Sequence, residues 1–349
     1  MTSSTLSAFL DSHAGSGTPL GRAVGLTVSH LASAAVALHG TINQGCLGNA
    51  FADSCGHAGQ SGDVPKELDL LADALFIEAM RQSPVRLYAS EELDEAALLD
   101  PTAPLAVALD PLDGSSNIDT NISIGTIFSI LPATGDPVGE RTASFLQGGG
   151  AQLAAGFFIY GPQLALVLSV GSGTRIFVFS PQDGAFIQAY ADLTIPERTQ
   201  EFAINMSNYR HWDEAVRLYV DDCLKGTEGP REKEFNMRWV AAVAVDAYRI
   251  LIRGGVYLYP GDRRRGYGEG RLRLVYEANP IAFIIEQAGG AATDTISRIL
   301  DLTPRSLHQR VPLVFGSVRE VARISRYHAE PSNIAERAPL FSNRGLFRA

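Results

Sequence analysis

Asp110, Asp113, Gly114, Ser115 and Ser116 are the residues whose types and spacing most directly suggest chemistry in this chain. They lie in the stretch Leu105-Ala-Val-Ala-Leu-Asp110-Pro-Leu-Asp113-Gly-Ser-Ser-Asn117. Two neighbouring carboxylates can hold hard cations through oxygen. The small residues behind them offer backbone N–H groups to an anion with little steric cover. Cations beside a phosphate is the chemistry this order suits. Asp-Pro and Asp-Gly are also ordinary turn dipeptides. An apolar strand running straight into two acids and Gly-Ser-Ser is the less common feature.

Further acids fall where elements should end. Val85–Ser90 reads as a strand with Glu91 and Glu92 at its tip. Adjacent acids are commonly a solvated turn, but two strand ends that each deliver carboxylates can build a cage for several cations. Asp63 and Asp69 stand at the start of a helical pattern, where an acid also favours the helix dipole. Glu277 follows a strand expected over 271–276 and precedes a helix capped by Asn279 with Pro280 in its first turn. It is a helix-start acid or a ligand.

The elements that must position these groups follow from periodicity. Residues 1–18 are small and polar and read as a loosely held arm. Apolar residues at helical spacing mark a helix from Leu20 to Leu38, with Gly40 as its stop. Gly48 to Gly62 is a loop, and Leu68, Leu71, Ala72, Leu75, Phe76, Ala79 and Met80 form one face of a helix. The motif strand ends at Asp110, where Pro111 stops it. Strands over 122–131, Ala154–Tyr160, 164–170, Arg175–Ser180 and Ala185–Tyr190, divided by glycine-rich turns, indicate an antiparallel meander. Gly171-Ser172-Gly173-Thr174 has no helix behind it and is a hairpin turn. A polar connector around 192–201 is the candidate domain boundary. Beyond it come helices over 213–224 and 240–252, strands over Val256–Tyr259 and 271–276, and a last strand over 311–315. The fold class is α+β: an antiparallel-rich first domain, residues 1–195, and an α/β second domain, residues 196–349.

Composition narrows the function classes. A net charge of −9 argues against nucleic acid and against an anionic membrane surface. An acidic protein with an acidic substrate needs metal or local arginines. Three cysteines, Cys46, Cys55 and Cys223, show no ligand spacing and read as free thiols of a reducing compartment. Neither a secretory signal nor an apolar run of the ~20 residues a bilayer requires is present, so the expectation is cytoplasmic. The histidines show no ligand spacing; His211 and His308 read as packing or hydrogen-bonding residues. Absence of a Gly-x-Ser-x-Gly elbow and of a Walker lysine loop removes serine hydrolases and P-loop kinases.

Asp110-Pro-Leu-Asp-Gly-Ser-Ser-Asn117 resembles the signature of class I fructose-1,6-bisphosphatases, within the lithium-sensitive, magnesium-dependent sugar phosphatase superfamily. The resemblance continues in order through Ser90-Glu91-Glu92, Tyr257-Leu-Tyr-Pro-Gly-Asp262, Leu272-Arg-Leu-Val-Tyr-Glu277-Ala-Asn-Pro280, Glu286-Gln-Ala-Gly-Gly290 and His308-Gln-Arg-Val-Pro312. It spans roughly residues 20 to 325 and implies a two-domain layered α/β sandwich. It also implies hydrolysis of the 1-phosphate of fructose 1,6-bisphosphate by a water activated by two or more Mg²⁺ or Mn²⁺ ions per subunit. By the same resemblance Glu91, Glu92, Asp110, the Leu112 carbonyl, Asp113 and Glu277 hold metal. Glu92 and Asp69, with Asp63 in the mobile catalytic loop, act on the water. Gly114, Ser115 and Ser116 hold the 1-phosphate. Asn205, Arg238, Tyr259, Arg271 and Arg273 bind substrate, Arg238 from a neighbouring subunit of a homotetramer.

Departures from the family pattern are also visible. Arg271 stands at a lysine position, and Trp239 and Asn208 stand at tyrosine positions. The family's AMP-binding segment is missing, and Pro104-Leu105 replaces its Lys-Tyr pair. Arg263-Arg264-Arg265 reads as a solvated loop. The competing readings are an inositol-phosphatase-like enzyme, a dual enzyme that also takes sedoheptulose 1,7-bisphosphate, and a non-catalytic phosphometabolite sensor. The first usually carries Trp-Asp where Tyr276-Glu277 stands; the last is weakened because every metal acid is present.

Overall fold

The strand that carries the motif lies deep inside an eight-stranded sheet, and the rest of the fold is layered around it. The computed structural model describes residues 4–14, 17–45, 63–136 and 139–329. Cys46, Cys55 and the expected loop at 48–62 lie outside the described residues, as does the side chain of Asp63.

Three helices come first: α1 (Leu6–Ala14), α2 (Pro19–Gln44) and α3 (Asp63–Arg81). The first sheet follows with β1 (Val85–Ser90), β2 (Ala97–Leu98), β3 (Leu105–Asp113) and β4 (Ile124–Pro132), then β5 (Ala154–Tyr160), β6 (Leu164–Ser169), β7 (Arg175–Ser180) and β8 (Ala185–Tyr190). Its order is β2-β1-β3-β4-β5-β6-β7-β8, with β1 and β3 parallel and the other neighbours antiparallel. After it come β9 (Glu201–Ala203), α4 (Glu214–Leu224), β10 (Asn236–Met237), α5 (Val243–Arg253), β11 (Val256–Tyr259) and β12 (Leu272–Arg273). The chain closes with α6 (Asn279–Gln287), β13 (Ala291–Thr293), β14 (Arg310–Val311), β15 (Leu313–Gly316) and α7 (Val318–Ala329). The second sheet has the order β10-β9-β11-β15-β13, and β12 pairs with β14 alone.

Alternation along the strands builds the layers. Phe128, Phe158 and Leu166 point to one face and pack with Val28, Leu31 and Leu38 of α2 and Ala72, Phe76 and Met80 of α3. Ile127, Phe157 and Val167 point to the other face, onto α5 and α6. The far side of those helices meets Tyr257, Leu313 and Phe315 of the second sheet. Its outer face carries Phe202, Leu258 and Val314 against α4 and α7. The result is an α+β layered sandwich. On length and composition α2 is the one described helix apolar enough to cross a bilayer; its apolar residues Val28, Leu31, Ala35 and Leu38 are fully buried in this core.

Several sequence expectations are corrected. The arm expected at 1–18 contains α1, held because Leu6 and Leu10 are buried and Thr5 bridges to Ile187. The second helix runs past Gly40 and ends at Gly45, which takes φ 48°. The motif strand does not stop at Pro111. It continues to Asp113 through a bulge in which Thr126 alone faces Pro111 and Leu112. The strand expected over 271–276 is only two residues long, and Leu274–Ala278 form a π-helical turn that runs into α6. Asn279 is therefore not a cap, since Ala278 before it is already helical. Pro312 splits the last expected strand into β14 and β15, and the helix expected from 240 begins at Val243. Helix α7 had no counterpart in the sequence reading.

Candidate active site

The bulge in β3 creates the centre of the site. Thr126 Oγ1 donates to the Pro111 carbonyl at 2.7 Å and Leu112 N–H donates to Asp110 Oδ1 at 3.1 Å, so the extra residues are fixed in place. Asp110 and Asp113 consequently stand side by side rather than on opposite faces. Leu112 has no register partner in the neighbouring strand, which frees its carbonyl for other use.

The third member comes from far along the chain. The π-helical turn before α6 inserts one residue into the helical ladder, a device often found at functional sites. Glu277 Oε2 accepts the Arg273 N–H at 2.5 Å across that turn. Carboxylate oxygens of Asp110, Asp113 and Glu277 all lie within 4.8 Å of one another, and all three residues are buried. Arg273 Nε lies 3.4 Å from Glu91 Oε1, bringing the tip of β1 to the same cluster.

Electrostatics mark the cluster as short of positive charge. Burial, then Glu91, Asp113 and Glu277, push Asp110 well above the ordinary carboxylate range. Burial and Glu91 do the same to Glu277. Glu91 is raised by burial although Arg273 pulls it down. Asp113 reaches only about 6, because the Ala244 and Val243 N–H groups offset its burial. Asp69 is raised to about 7 by burial and by Glu92 and Glu91, while a hydrogen bond from Ser115 lowers it. Asp69, Ser115 and the Glu91-Glu92 pair therefore meet at one edge of the cluster. An all-oxygen set of converging buried acids fits hard divalent cations.

The phosphate-loop candidates follow directly. Gly114 takes φ 78°, and Ser115–Asn117 form a short 3-10 turn behind it. The leading N–H groups of such a turn have no partner within it. Asn117 Nδ2 donates to the Val240 carbonyl at 3.0 Å, and Asp113 accepts Val243 N–H at 3.0 Å and Ala244 N–H at 2.7 Å. These bonds clamp the motif turn to the start of α5. Asp246, absent from the sequence list, accepts Val240 N–H at 3.3 Å and so secures the same loop, in which Ala241 takes φ 68°. Its signal in sequence is weak, a lone acid in an apolar helix.

The distal candidates are only partly brought together. Asn205 and Tyr259 line one shallow pocket with Asn208, Trp212, Pro260 and Asp262. Trp239 packs its ring 5.9 Å from that of Tyr259. Arg271 is exposed, with its guanidinium 4.9 Å over the Tyr267 ring. Arg273 sits at the acid cluster instead. Arg238 is exposed and donates to the Met237 carbonyl at 3.0 Å. Its segment is anchored by buried Arg231, whose Nη2 contacts Glu320 Oε1 at 2.6 Å. His308 packs on Tyr276 and makes a 3.0 Å contact with the Leu93 carbonyl, in line with a structural role.

Two family models match the chain: "Fructose-1-6-bisphosphatase, N-terminal domain" over residues 5–191 and "Fructose-1-6-bisphosphatase, C-terminal domain" over residues 195–329. The class 1 fructose-1,6-bisphosphatase of Rhizobium meliloti (strain 1021) is 63% identical over 349 residues, covering 100% of both sequences. That of Sinorhizobium medicae (strain WSM419) is 61% identical with the same coverage. The crystal structure of Leishmania major fructose-1,6-bisphosphatase in holo form aligns with a TM-score of 0.82 at 29% identity, covering 94% of this chain and 99% of that one.

Proposed function

The chain belongs to the class 1 fructose-1,6-bisphosphatases and is a phosphoric monoester hydrolase of fructose 1,6-bisphosphate, and on that basis we propose how its residues share the reaction. Asp110, Asp113 and Glu277, joined by Glu91, Glu92 and the Leu112 carbonyl, hold two or more Mg²⁺ or Mn²⁺ ions. The support is the donor set: buried carboxylates of Asp110, Asp113 and Glu277 converging within 4.8 Å, with the half-buried Glu91 and the exposed Glu92 at their edge and Arg273 paired with Glu91. When bound, the cations stabilise charge on the phosphoryl oxygens and make water a stronger acid.

The remaining assignments concern the chain's own groups. Asp69, which meets Glu92 and Ser115 at the edge of the cluster, accepts a proton from the attacking water together with Glu92. Asp63, the first residue of α3, is assigned to the same step in this reading. The N–H groups and hydroxyls at Gly114, Ser115 and Ser116 hold the 1-phosphate, while Arg273 stays between Glu91 and the substrate. Asn205, Tyr259 and Arg271 hold the 6-phosphate, with Arg238 reaching in from a neighbouring subunit of a homotetramer. A domain division at 195/196 belongs to the same reading and is supported by the separate sheets.

The observation that carries the proposal is the meeting of Asp110, Asp113 and Glu277 beside the Gly114 turn. Phosphate release from fructose 1,6-bisphosphate should require Mg²⁺ or Mn²⁺ and stop in excess chelator. Asp110→Asn should raise the metal concentration needed for half-maximal rate. Full turnover under chelator would overturn the assignment.

A further inference from the structure

The arginine run after β11 contains one residue that is partly turned inward. Arg263 and Arg265 are exposed, whereas the Arg264 side chain is turned inward and 33% exposed, against an Asp262 that is 6% exposed. Arg264 Nε donates to both Asp262 oxygens at 3.0 Å. Its Nη2 also donates to Asp262, and to Asn208 Oδ1 at 3.0 Å. The guanidinium plane lies 4.5 Å over the Tyr267 ring. The bonds fix Nε and Nη2, and among the described residues Nη1 has no hydrogen-bond partner.

The residues that fix Arg264 also line the distal pocket. Asn208 and Asp262 form its wall with Asn205 and Tyr259. Arg271 stacks on the same Tyr267 ring, 4.9 Å away, so one ring carries two guanidiniums, and one of these, Arg264, is bonded to Asn208 and Asp262 of the pocket wall. We propose that Arg264 is a further phosphate-binding residue of this enzyme, contacting the distal phosphate of the substrate through its Nη1 edge. The inference rests on the reading that this pocket takes the 6-phosphate.

The chemistry favours such a residue. A phosphate dianion leaving water needs positive charge and donors in return. Among the residues that line the pocket, Tyr259 alone carries a hydroxyl and none carries a positive charge. Asn208 supplies an acceptor that a tyrosine ring would not place there, and Arg264 uses it. A guanidinium already locked by Asp262 and Tyr267 loses little side-chain freedom when it binds.

The test uses the full-length enzyme with Mg²⁺. Steady-state constants are measured for fructose 1,6-bisphosphate and fructose 1-phosphate across a range of KCl. Wild type is compared with Arg264→Gln, Arg264→Lys, Arg271→Ala and Tyr259→Phe. Arg264→Gln should raise KM for the bisphosphate about tenfold or more and flatten the salt dependence of that KM. Its penalty on fructose 1-phosphate should be clearly smaller, and Arg264→Lys should recover part of the loss. An unchanged KM and salt slope in Arg264→Gln, with a raised KM in Arg271→Ala and Tyr259→Phe, would overturn the proposal and keep the pocket. Equal losses on both substrates with a lowered melting temperature would make Arg264 a loop scaffold and overturn it too. If Arg264→Gln, Arg271→Ala and Tyr259→Phe all leave the preference between the two substrates intact, the pocket assignment itself falls.

Discussion

Asp113 meets two demands with one carboxylate. Its oxygens accept the Val243 and Ala244 N–H groups at 3.0 and 2.7 Å, and it also faces Asp110 and Glu277 within 4.8 Å. It is therefore part of the candidate metal cluster and a partner for the otherwise unpaired first turn of α5. Asp113→Ala removes both functions, and leaving a buried donor unmade costs about 1–3 kcal/mol. Asp113→Asn keeps an oxygen acceptor while removing the charge. Both variants should lose turnover by more than about a hundredfold, since even outer-shell changes reach that scale. The alanine variant should also show the lower urea midpoint. Equal midpoints would mean that the bonds to α5 contribute nothing to stability.

At the scale of elements, one junction shapes the site and another contributes to the stability of the fold. Gly114 sits at φ 78°, and a Cβ there would lie 2.5 Å from the Ala242 Cβ. Left-handed backbone costs a non-glycine residue about 1–2 kcal/mol, and the overlap adds to this. Gly114→Ala should therefore push the motif turn away from the start of α5 and lower kcat/KM. Adding Ala242→Gly should restore part of that loss, which kinetics of the double variant would show. The other junction joins α7 to the N-terminus of α4, where His328 Nε2 lies 3.1 Å from Asp213 Oδ2. Burial lowers the His328 pKa, but the bonds with Asp213 and the Ile324 carbonyl outweigh it and hold it above 6.5. Burial likewise opposes the shift of Asp213, which His328 and Val216 N–H draw below 3.8. A raised histidine stabilises the fold fully below its unfolded pKa and stops doing so as pH climbs through its folded value. A depressed carboxylate acts only above its unfolded value. The pair should thus contribute most between about pH 4 and 6.5 and fade above that range. Stability measured against pH in wild type and His328→Gln should differ there and converge at higher pH; a constant gap would exclude the ion pair as the cause.

On the scale of the whole molecule, Arg238 is exposed, donates to the Met237 carbonyl and does not line the distal pocket of its own chain. A homotetramer in which this residue reaches a neighbour's pocket gives its charge a use. Arg238→Ala should raise KM for fructose 1,6-bisphosphate without dissociating the assembly, read by sedimentation alongside kinetics. A fully active monomer would contradict this. AMP should inhibit weakly, because Leu105 is fully buried where the family places part of a Lys-Tyr pair. Cooperative inhibition at low micromolar AMP would place a nucleotide site elsewhere. Sedoheptulose 1,7-bisphosphate tests the reach of the same pocket, through its kcat/KM relative to the fructose substrate.

Local patterns made much of the fold legible. β1, β5, β7, β8 and β11 occupy the ranges read from apolar alternation and turn residues, because neighbouring residues alone decide which face of a strand is apolar. The acids at strand ends were legible for the same reason, as breaks at the end of an apolar run. Their convergence was not. The bulge depends on Thr126 reaching the Pro111 carbonyl from the adjacent strand, so Pro111, a stop by local rules, is carried within β3. Glu277 is turned into the cluster by its bond to the Arg273 N–H inside a π-helical turn, where local periodicity gives only a strand. Arg264 looked solvated among three arginines until Asn208, 56 residues earlier, supplied its acceptor. The sequence alone determined which groups the chain carries and the order in which they occur. Contacts between distant segments decided where those groups point, since a bulge, a π-helical turn and an inward-turned guanidinium each draw on a partner that no local window contains.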